Sequence, residues 1–220
     1  MIGREINLLA RYPKIKRNLE ERNERKTEES RAIARKFGYD YFDGERSYGY
    51  GGFNYHPRFW TDVINDLIST YQLTSSSSVL DVGCAKGFFL YDLSKILPGI
   101  KYAGVDISEY ALENAPSEVR DNLFLGSAVS LEFPDNSFDL VISINTIHNL
   151  NQHDCKKALA EIQRVSKKYA FITVDAYRDS IEKERMEAWN LTALTMMSVE
   201  EWKEFFKESG YKGDFYWFIP

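Results

Sequence analysis

The chain is predicted to fold as an α/β domain, a mostly parallel sheet with helices on both faces. Three observations carry this. The run Ser78-Val79-Leu80-Asp81-Val82 is β-branched and apolar, as a strand covered on both faces should be. It runs through a glycine turn, Gly83-Cys84-Ala85-Lys86-Gly87, into Phe88–Leu97, where apolar residues recur at helical spacing. Further apolar strand segments near 101–107, 122–125, 138–144 and 169–175 then alternate with helical segments near 108–114, 154–166 and 198–209. A final strand is expected at 214–219.

From the N-terminus, residues of about 14–36 form a highly charged helical stretch, Arg-Asn-Leu-Glu-Glu-Arg-Asn-Glu-Arg-Lys at its centre, with few apolar anchors. The simplest expectation is a solvated helix. The alternative is that Ile15, Leu19, Ile33 and Phe37 pack on a second copy, giving a homodimer through this helix, or cap the active site. Residues Tyr39–His56 alternate aromatics with glycines. Such a strip cannot hold a helix, and its tyrosines are poor candidates for full exposure. An ordered lid over a ligand fits both facts; a surface loop packed on the sheet edge is the competing expectation. On this reading residues 1–56 are a helical cap and lid, and 57–220 one globular unit.

A helix should run from Pro57 through Tyr71, with Pro in its first turn and Phe59, Val63, Ile64, Leu67 and Ile68 on one face. Thr74–Ser78 is a connector of small hydroxyl residues. Between about Arg178 and Met197, Met186, Trp189, Leu191, Leu194, Met196 and Met197 lie at roughly helical spacing, suiting core packing and a wall for the pocket.

Composition narrows the function. At 220 residues with 44% hydrophobic content, the chain buries a core without disulfides or metal. Its net charge of -5, with no basic tract, disfavours nucleic acid as the main partner, since that binding rests on phosphate neutralisation. Cys84 and Cys155 lack metal or dithiol spacing. No apolar run is long enough to span a membrane and no signal-peptide pattern opens the chain, so a cytoplasmic location is expected.

The glycine turn is the centre of the functional reading. Gly83 and Gly87 let backbone come close to a ligand. About 20 residues on, Asp106 ends a second apolar strand, where ribose hydroxyls would be met. These two elements suit either a dinucleotide or another nucleoside cofactor. Further on come Leu131-Glu132-Phe133-Pro134-Asp135-Asn136-Ser137-Phe138-Asp139, the strand that follows, and Ser143-x-x-x-x-His148. In order and spacing, the glycine loop, Val105-Asp106-Ile107-Ser108, this run and His148 resemble class I S-adenosylmethionine-dependent methyltransferases. The resemblance covers roughly Ser78–Asp175. The family's loop commonly has glycine where Ala85 stands, and often an acidic residue where Ser127 stands.

The resemblance implies a Rossmann-like, doubly wound sheet of seven strands with the C-terminal strand antiparallel. It implies S-adenosyl-L-methionine as cofactor, held by Tyr50, Asp81, Gly83, Cys84, Ala85, Gly87, Asp106, Ile107, Ser127, Ala128 and Asn145, with no metal. Tyr48, Tyr50 and Gly51 of the lid would line its methionine end, and Arg46 would be available for a carboxylate. Methyl transfer is an in-line displacement, so a base matters only when the nucleophile carries a proton of high pKa. His148 and Asp175, both at the carboxyl edge of the sheet, are the candidate catalytic residues. His56 and His153 suit structural roles. The expected activity is methyl transfer to O, N or C of a small molecule, such as a sugar nucleotide, a polysaccharide precursor or a secondary metabolite. The alternatives are a macromolecular (protein or RNA) methyltransferase, or a protein of this fold that binds S-adenosylmethionine without ordinary methyl transfer.

Overall fold

The computed structural model describes residues 2–13, 19–50 and 54–220; Ile15 and Gly51, singled out above, lie outside them. The first strand is β1 (Ser78–Val82), and β2 (Lys101–Asp106), β3 (Leu123–Leu125), β4 (Phe138–Ile144) and β5 (Ser166–Tyr177) follow. In space the order is β3-β2-β1-β4-β5, all parallel. The chain moves outward from β1 to β3 and then returns to the other side of β1. The order therefore reverses between β1 and β4, where a ligand crevice opens at the carboxyl ends of strands in folds of this kind. Burial on both faces explains the apolar sequences: Val79, Leu80 and Val82 of β1 and Leu140, Val141 and Ile142 of β4 are all fully buried.

Two core layers form, one on each face. On one side α4 (Thr61–Tyr71) and α5 (Phe88–Ile96) present Val63, Ile64, Leu67, Phe89, Leu90 and Leu93 to the sheet. On the other, α8 (Gln152–Val165) and α10 (Val199–Glu208) bring Leu159, Ile162, Trp202 and Phe206. The expected helix from Pro57 is a single turn at Pro57–Phe59 and then α4, because the His56 ring nitrogen accepts from the Arg58 N–H and caps the turn. The short helices α6 (Glu109–Glu113) and α7 (Ser117–Arg120) lie between β2 and β3.

The C-terminal strand departs from expectation. β7 (Asp214–Phe218) pairs with β5 in parallel, Phe171 opposite Asp214 through Asp175 opposite Phe218, so the expected antiparallel strand is not formed. The two-residue β6 (Met197–Ser198) pairs with the end of β5, at Ala176 and Tyr177. The outer edge of β7 is covered by the N-terminus: Phe215 donates its N–H to the Arg4 carbonyl, and Ile6 donates to the Phe215 carbonyl. The Arg4 guanidinium clamps the Asp214 carboxylate at 2.7 Å, and Tyr71 donates to the same group. An edge that would otherwise offer bare amide and carbonyl groups is thereby closed.

The charged stretch near the N-terminus forms two helices, α1 (Leu19–Arg25) and α2 (Glu28–Ala34). Thr27 divides them because its side chain accepts from the Ser30 N–H while the Ser30 hydroxyl accepts from the Thr27 N–H, a reciprocal cap that starts a new helix. A third helix, α3 (Tyr39–Phe42), follows. In the stretch after β5, α9 (Ser180–Trp189) forms, started by Asp179 accepting from the Glu182 N–H. Among the described residues, no helix is long and apolar enough to cross a membrane.

Candidate active site

The site is built at the carboxyl ends of β1, β2 and β4. Gly83 leaves β1 at φ +86°, and a Cβ there would stand 2.1 Å from the Thr146 hydroxyl oxygen of the loop after β4. Glycine thus lets the two loops close on each other. Gly87, at φ +68°, precedes α5 with its Cα facing Leu123. Ala85, where the family commonly has glycine, also lies in the left-handed region at φ 50°. Holding alanine there costs about 1–2 kcal/mol, so Ala85→Gly is expected to be neutral to mildly stabilising, a small upward shift of the denaturation midpoint.

The loop's backbone bonds decide what it can bind. Gly83 and Cys84 both donate to the Val105 carbonyl, at 2.7 and 3.1 Å, and Gly87 donates to the Cys84 carbonyl. Ala85 donates to Asp106 Oδ2 at 2.7 Å, and Ser108 donates to Oδ1 at 2.8 Å. These amides are therefore used within the protein and do not form a cradle for phosphate oxygens. The acidic groups here are Asp81, which is buried, and Asp106, half-buried at the end of β2. Burial raises the Asp106 carboxyl, against the opposing bonds from Ser108, Ala85 and Ile107. Burial and then Asp106 push Asp81 up to about 8. Two carboxyls driven toward their neutral forms make a setting that gains from a cation and from hydroxyl donors, and loses from added phosphate charge. Cys84 is buried against Gly104, where a Cβ would meet its sulfur at 2.7 Å, which shapes the loop's floor.

Ile107, 63% exposed, follows Asp106 at the rim. Ser127 and Ala128 follow Gly126, whose N–H bonds the Asp106 carbonyl. Asn145 takes the left-handed conformation at φ 53°, and its side-chain oxygen accepts from the Thr173 hydroxyl at 2.9 Å. Its amide group thus pins β4 to β5, where sequence reading assigns it to the cofactor.

His148 and Asp175 are brought together. His148 Nδ1 accepts from the Asp175 N–H at 3.2 Å, which leaves Nε2, 3.5 Å from Asp175 Oδ2, as the protonated nitrogen of the neutral ring. Burial lowers the imidazole pKa and Asp175 only partly opposes it, so His148 is neutral at pH 7. Asn190 donates to Asp175 Oδ2 at 2.5 Å. Leu194 and Thr195 donate to the His148 carbonyl, so the segment after α9 closes over the pair.

The lid is fastened at several points. Lys86 of the glycine loop meets both oxygens of Asp43 at 2.7 Å, and Tyr110 of α6 donates to the same carboxylate. Burial alone would raise Asp43, yet the bonds from Lys86 and Tyr110 and the lysine charge together hold it below its usual value. Ser108 donates to the Phe37 carbonyl, and Tyr55 donates to Asp92 at 2.7 Å. Sequence reading puts Tyr50 on the cofactor, but its hydroxyl accepts from the Leu191 and Thr192 N–H groups, on the segment after α9. The residue close to both carboxylate clusters is Tyr41: burial pushes its phenol well above the usual value, and Tyr50, Asp106 and Asp175 add to the rise. Tyr48 lines a separate groove with Glu24, Arg25 and Ser47, and Arg46 is exposed, offering its carbonyl to Arg22. Lys86, Asp43, Tyr41 and Asn190 were not legible as site residues; no local periodicity ties residues so distant in sequence.

A family model described as a methyltransferase domain matches residues 73–210, more than half of the chain. The demethylmenaquinone methyltransferase of Symbiobacterium thermophilum is 34% identical over 116 residues, 49% of this chain and 45% of that protein. The tRNA (carboxymethyluridine(34)-5-O)-methyltransferase of Arabidopsis thaliana is 30% identical over 132 residues, 59% of this chain and 31% of that protein. The chain thus spans less than half the length of either relative. The YcgJ protein of Bacillus subtilis superposes with a TM-score of 0.54 over 66% of each chain at 24% identity, a likeness of fold. With the glycine loop, the switch-point crevice and the acidic end of β2 in place, the chain belongs to the methyltransferase domain family, the class I S-adenosylmethionine-dependent methyltransferases.

Proposed function

We propose that the chain transfers a methyl group from S-adenosylmethionine to an O, N or C atom of a small molecule. The observation that carries the cofactor assignment is the pair Asp81 and Asp106 beside a glycine loop whose amides are already engaged. The residues present fit this cofactor: carboxylates suit its ammonium group and ribose hydroxyls, and Gly83 and Gly87 leave room for close approach. Asp81, Gly83, Cys84, Ala85, Gly87, Asp106, Ile107, Ser127 and Ala128 would hold it. When bound, the cofactor supplies a methyl group on a sulfonium, activated for in-line displacement.

This chain's own residues do the rest. The lid, tied down through Asp43 to Lys86 and Tyr110, keeps water out. Asp175, oriented by Asn190 and His148, takes the proton when the acceptor atom carries one; neutral His148 keeps the carboxylate in place. Enclosure by the lid and the segment after α9, together with the net charge of -5, supports a small acceptor over a duplex or a protein surface.

Calorimetric titration with S-adenosylhomocysteine and, separately, NAD tests the cofactor assignment. The first should bind and NAD should not, and Asp106→Ala should weaken binding at least tenfold, about 1.4 kcal/mol. Binding of NAD, or indifference to the substitution, would refute it.

A further inference from the structure

One cation in the lid is left with bonding capacity to spare. Arg22 on α1 donates from Nε to the Trp189 carbonyl, and from Nη1 to the carbonyls of Arg46 and Gly49, both at 2.8 Å. Its Nη2 is buried and has no hydrogen-bond partner among the described residues. The guanidinium is flanked by two rings, its central carbon 4.9 Å from the Tyr50 centroid and 5.4 Å from that of Trp189. No carboxylate is ion-paired with it among the described residues. Burial lowers its pKa, and Tyr50, through its charge and its hydroxyl beside the guanidinium, and Tyr41 oppose it. A buried donor on a charged group that is left unmet keeps its full desolvation penalty. A side chain serving only to staple the lid is satisfied through Nε and Nη1 and gains nothing from burying Nη2 unpaired.

The charge around Arg22 sharpens this. Lys26, Arg31 and Arg35 likewise send their side chains to carbonyls of the 187–193 segment. Lys26 is lowered by burial and then by Arg31 and Arg22. The lid therefore brings a row of cations against the end of α9 with carbonyl dipoles as their hydrogen-bond partners there; Glu28, 3.9 Å from Arg31 Nε, is the carboxylate ion-paired with this row among the described residues. An anion bound at Nη2 would relieve both the unpaired donor and the mutual repulsion.

The position relative to the acid-base pair gives this a function. Trp189 covers Arg22, and its neighbour in sequence, Asn190, holds Asp175. Tyr41 is close enough to Arg22 and Asp175 for both to act on its phenol. We propose that Arg22 binds an oxyanion, a carboxylate or a phosphate, on the molecule that accepts the methyl group. The acceptor is then a small acid, anchored at Arg22 with its nucleophilic atom turned toward Asp175. This rests on the methyl-transfer reading given above.

The test loads the full chain with S-adenosylhomocysteine and titrates it with benzoate, phenyl phosphate and the neutral benzamide. At least one anion should bind about tenfold or more tightly than benzamide, and the better of the two tells carboxylate from phosphate. Arg22→Gln should abolish that preference while S-adenosylhomocysteine affinity stays within about threefold. Arg22→Lys, which keeps the charge and loses the fork, should retain part of it and serves if the glutamine variant does not fold. Equal binding of benzamide and the anions, no binding of either anion to the loaded wild type, or an intact preference in Arg22→Gln would each overturn the proposal. Failure of S-adenosylhomocysteine itself to bind would instead refute the cofactor reading, so the two failures are told apart at the first titration.

Discussion

Gly83→Val is expected to destabilise the fold by about 2–5 kcal/mol and to abolish binding of S-adenosylhomocysteine. Two terms add. The left-handed backbone at φ +86° costs a residue with a side chain about 1–2 kcal/mol. The new side chain then collides with Thr146, whose hydroxyl oxygen, Cγ2 and Cβ all lie within 2.7 Å of the added Cβ, and overpacking adds about 1–3 kcal/mol. Neither loop yields easily, since Gly83 and Cys84 are held on Val105 and Asn145 on Thr173. Gly210→Ala is the control: that glycine is also left-handed, at φ +69°, with nothing within 4 Å of the added Cβ, so only the backbone term applies. Urea denaturation of the pair separates strain from collision. A Gly83→Val protein with wild-type midpoint and ligand affinity would show that the loops are not in contact.

Asp175→Asn is expected to lower kcat by about 10²–10⁴, the range for a positioned proton acceptor, with S-adenosylhomocysteine affinity preserved. His148→Gln should fall in the same direction by less, because His148 acts through Asp175. The double variant should lose less than the sum, as coupled neighbours do. The pH dependence follows from the histidine. Its folded pKa is lowered below the usual 6.5, so the stability that neutral His148 contributes is present above that value and is lost as pH falls through its depressed folded value. The acid limb of the rate profile should accordingly lie below the usual histidine range and disappear in His148→Gln. Rates equal to wild type in Asp175→Asn on an acceptor with a proton to lose would remove this residue from the chemistry.

Much of this was readable in the residues because parallel strands buried on both faces have little choice of sequence. Ser78–Val82 and Phe138–Ile144 form over the residues expected, and the glycine loop and Asp106 fall where an acidic end of β2 meets a turn after β1. The direction of β7 was not readable: alternation in Asp214–Phe218 is the same whichever way the strand runs, and direction is fixed by packing against β5 and the N-terminus. The helix α9 was blurred because its segment Ser-Ile-Glu-Lys-Glu-Arg is polar and it fully buries Met186 alone. The site divides in the same way. Residues carried by the loop and strand ends were legible, whereas the lid's contribution rests on contacts such as Asp43 with Lys86 and Arg22 with Trp189. Tyr50, read as a cofactor contact, has its hydroxyl bonded to the segment after α9.

The central claim is that this crevice holds a cationic cofactor against the carboxyls of buried Asp81 and half-buried Asp106, and proton release on binding tests it directly. Asp81 has a folded pKa of about 8 against an ordinary 3.8. The raised value means that the stability it contributes is full below the ordinary value and is lost as pH rises through about 8. At pH 7 the carboxyl is mostly protonated, and a cation placed beside it drives the proton off. Calorimetry of S-adenosylmethionine binding at pH 7 in two buffers of different ionisation enthalpy should show release of a large fraction of one proton. Affinity should rise with pH up to about 8, and Asp81→Asn should suppress both effects. Proton uptake, or binding independent of buffer and pH in the wild type, would contradict the account.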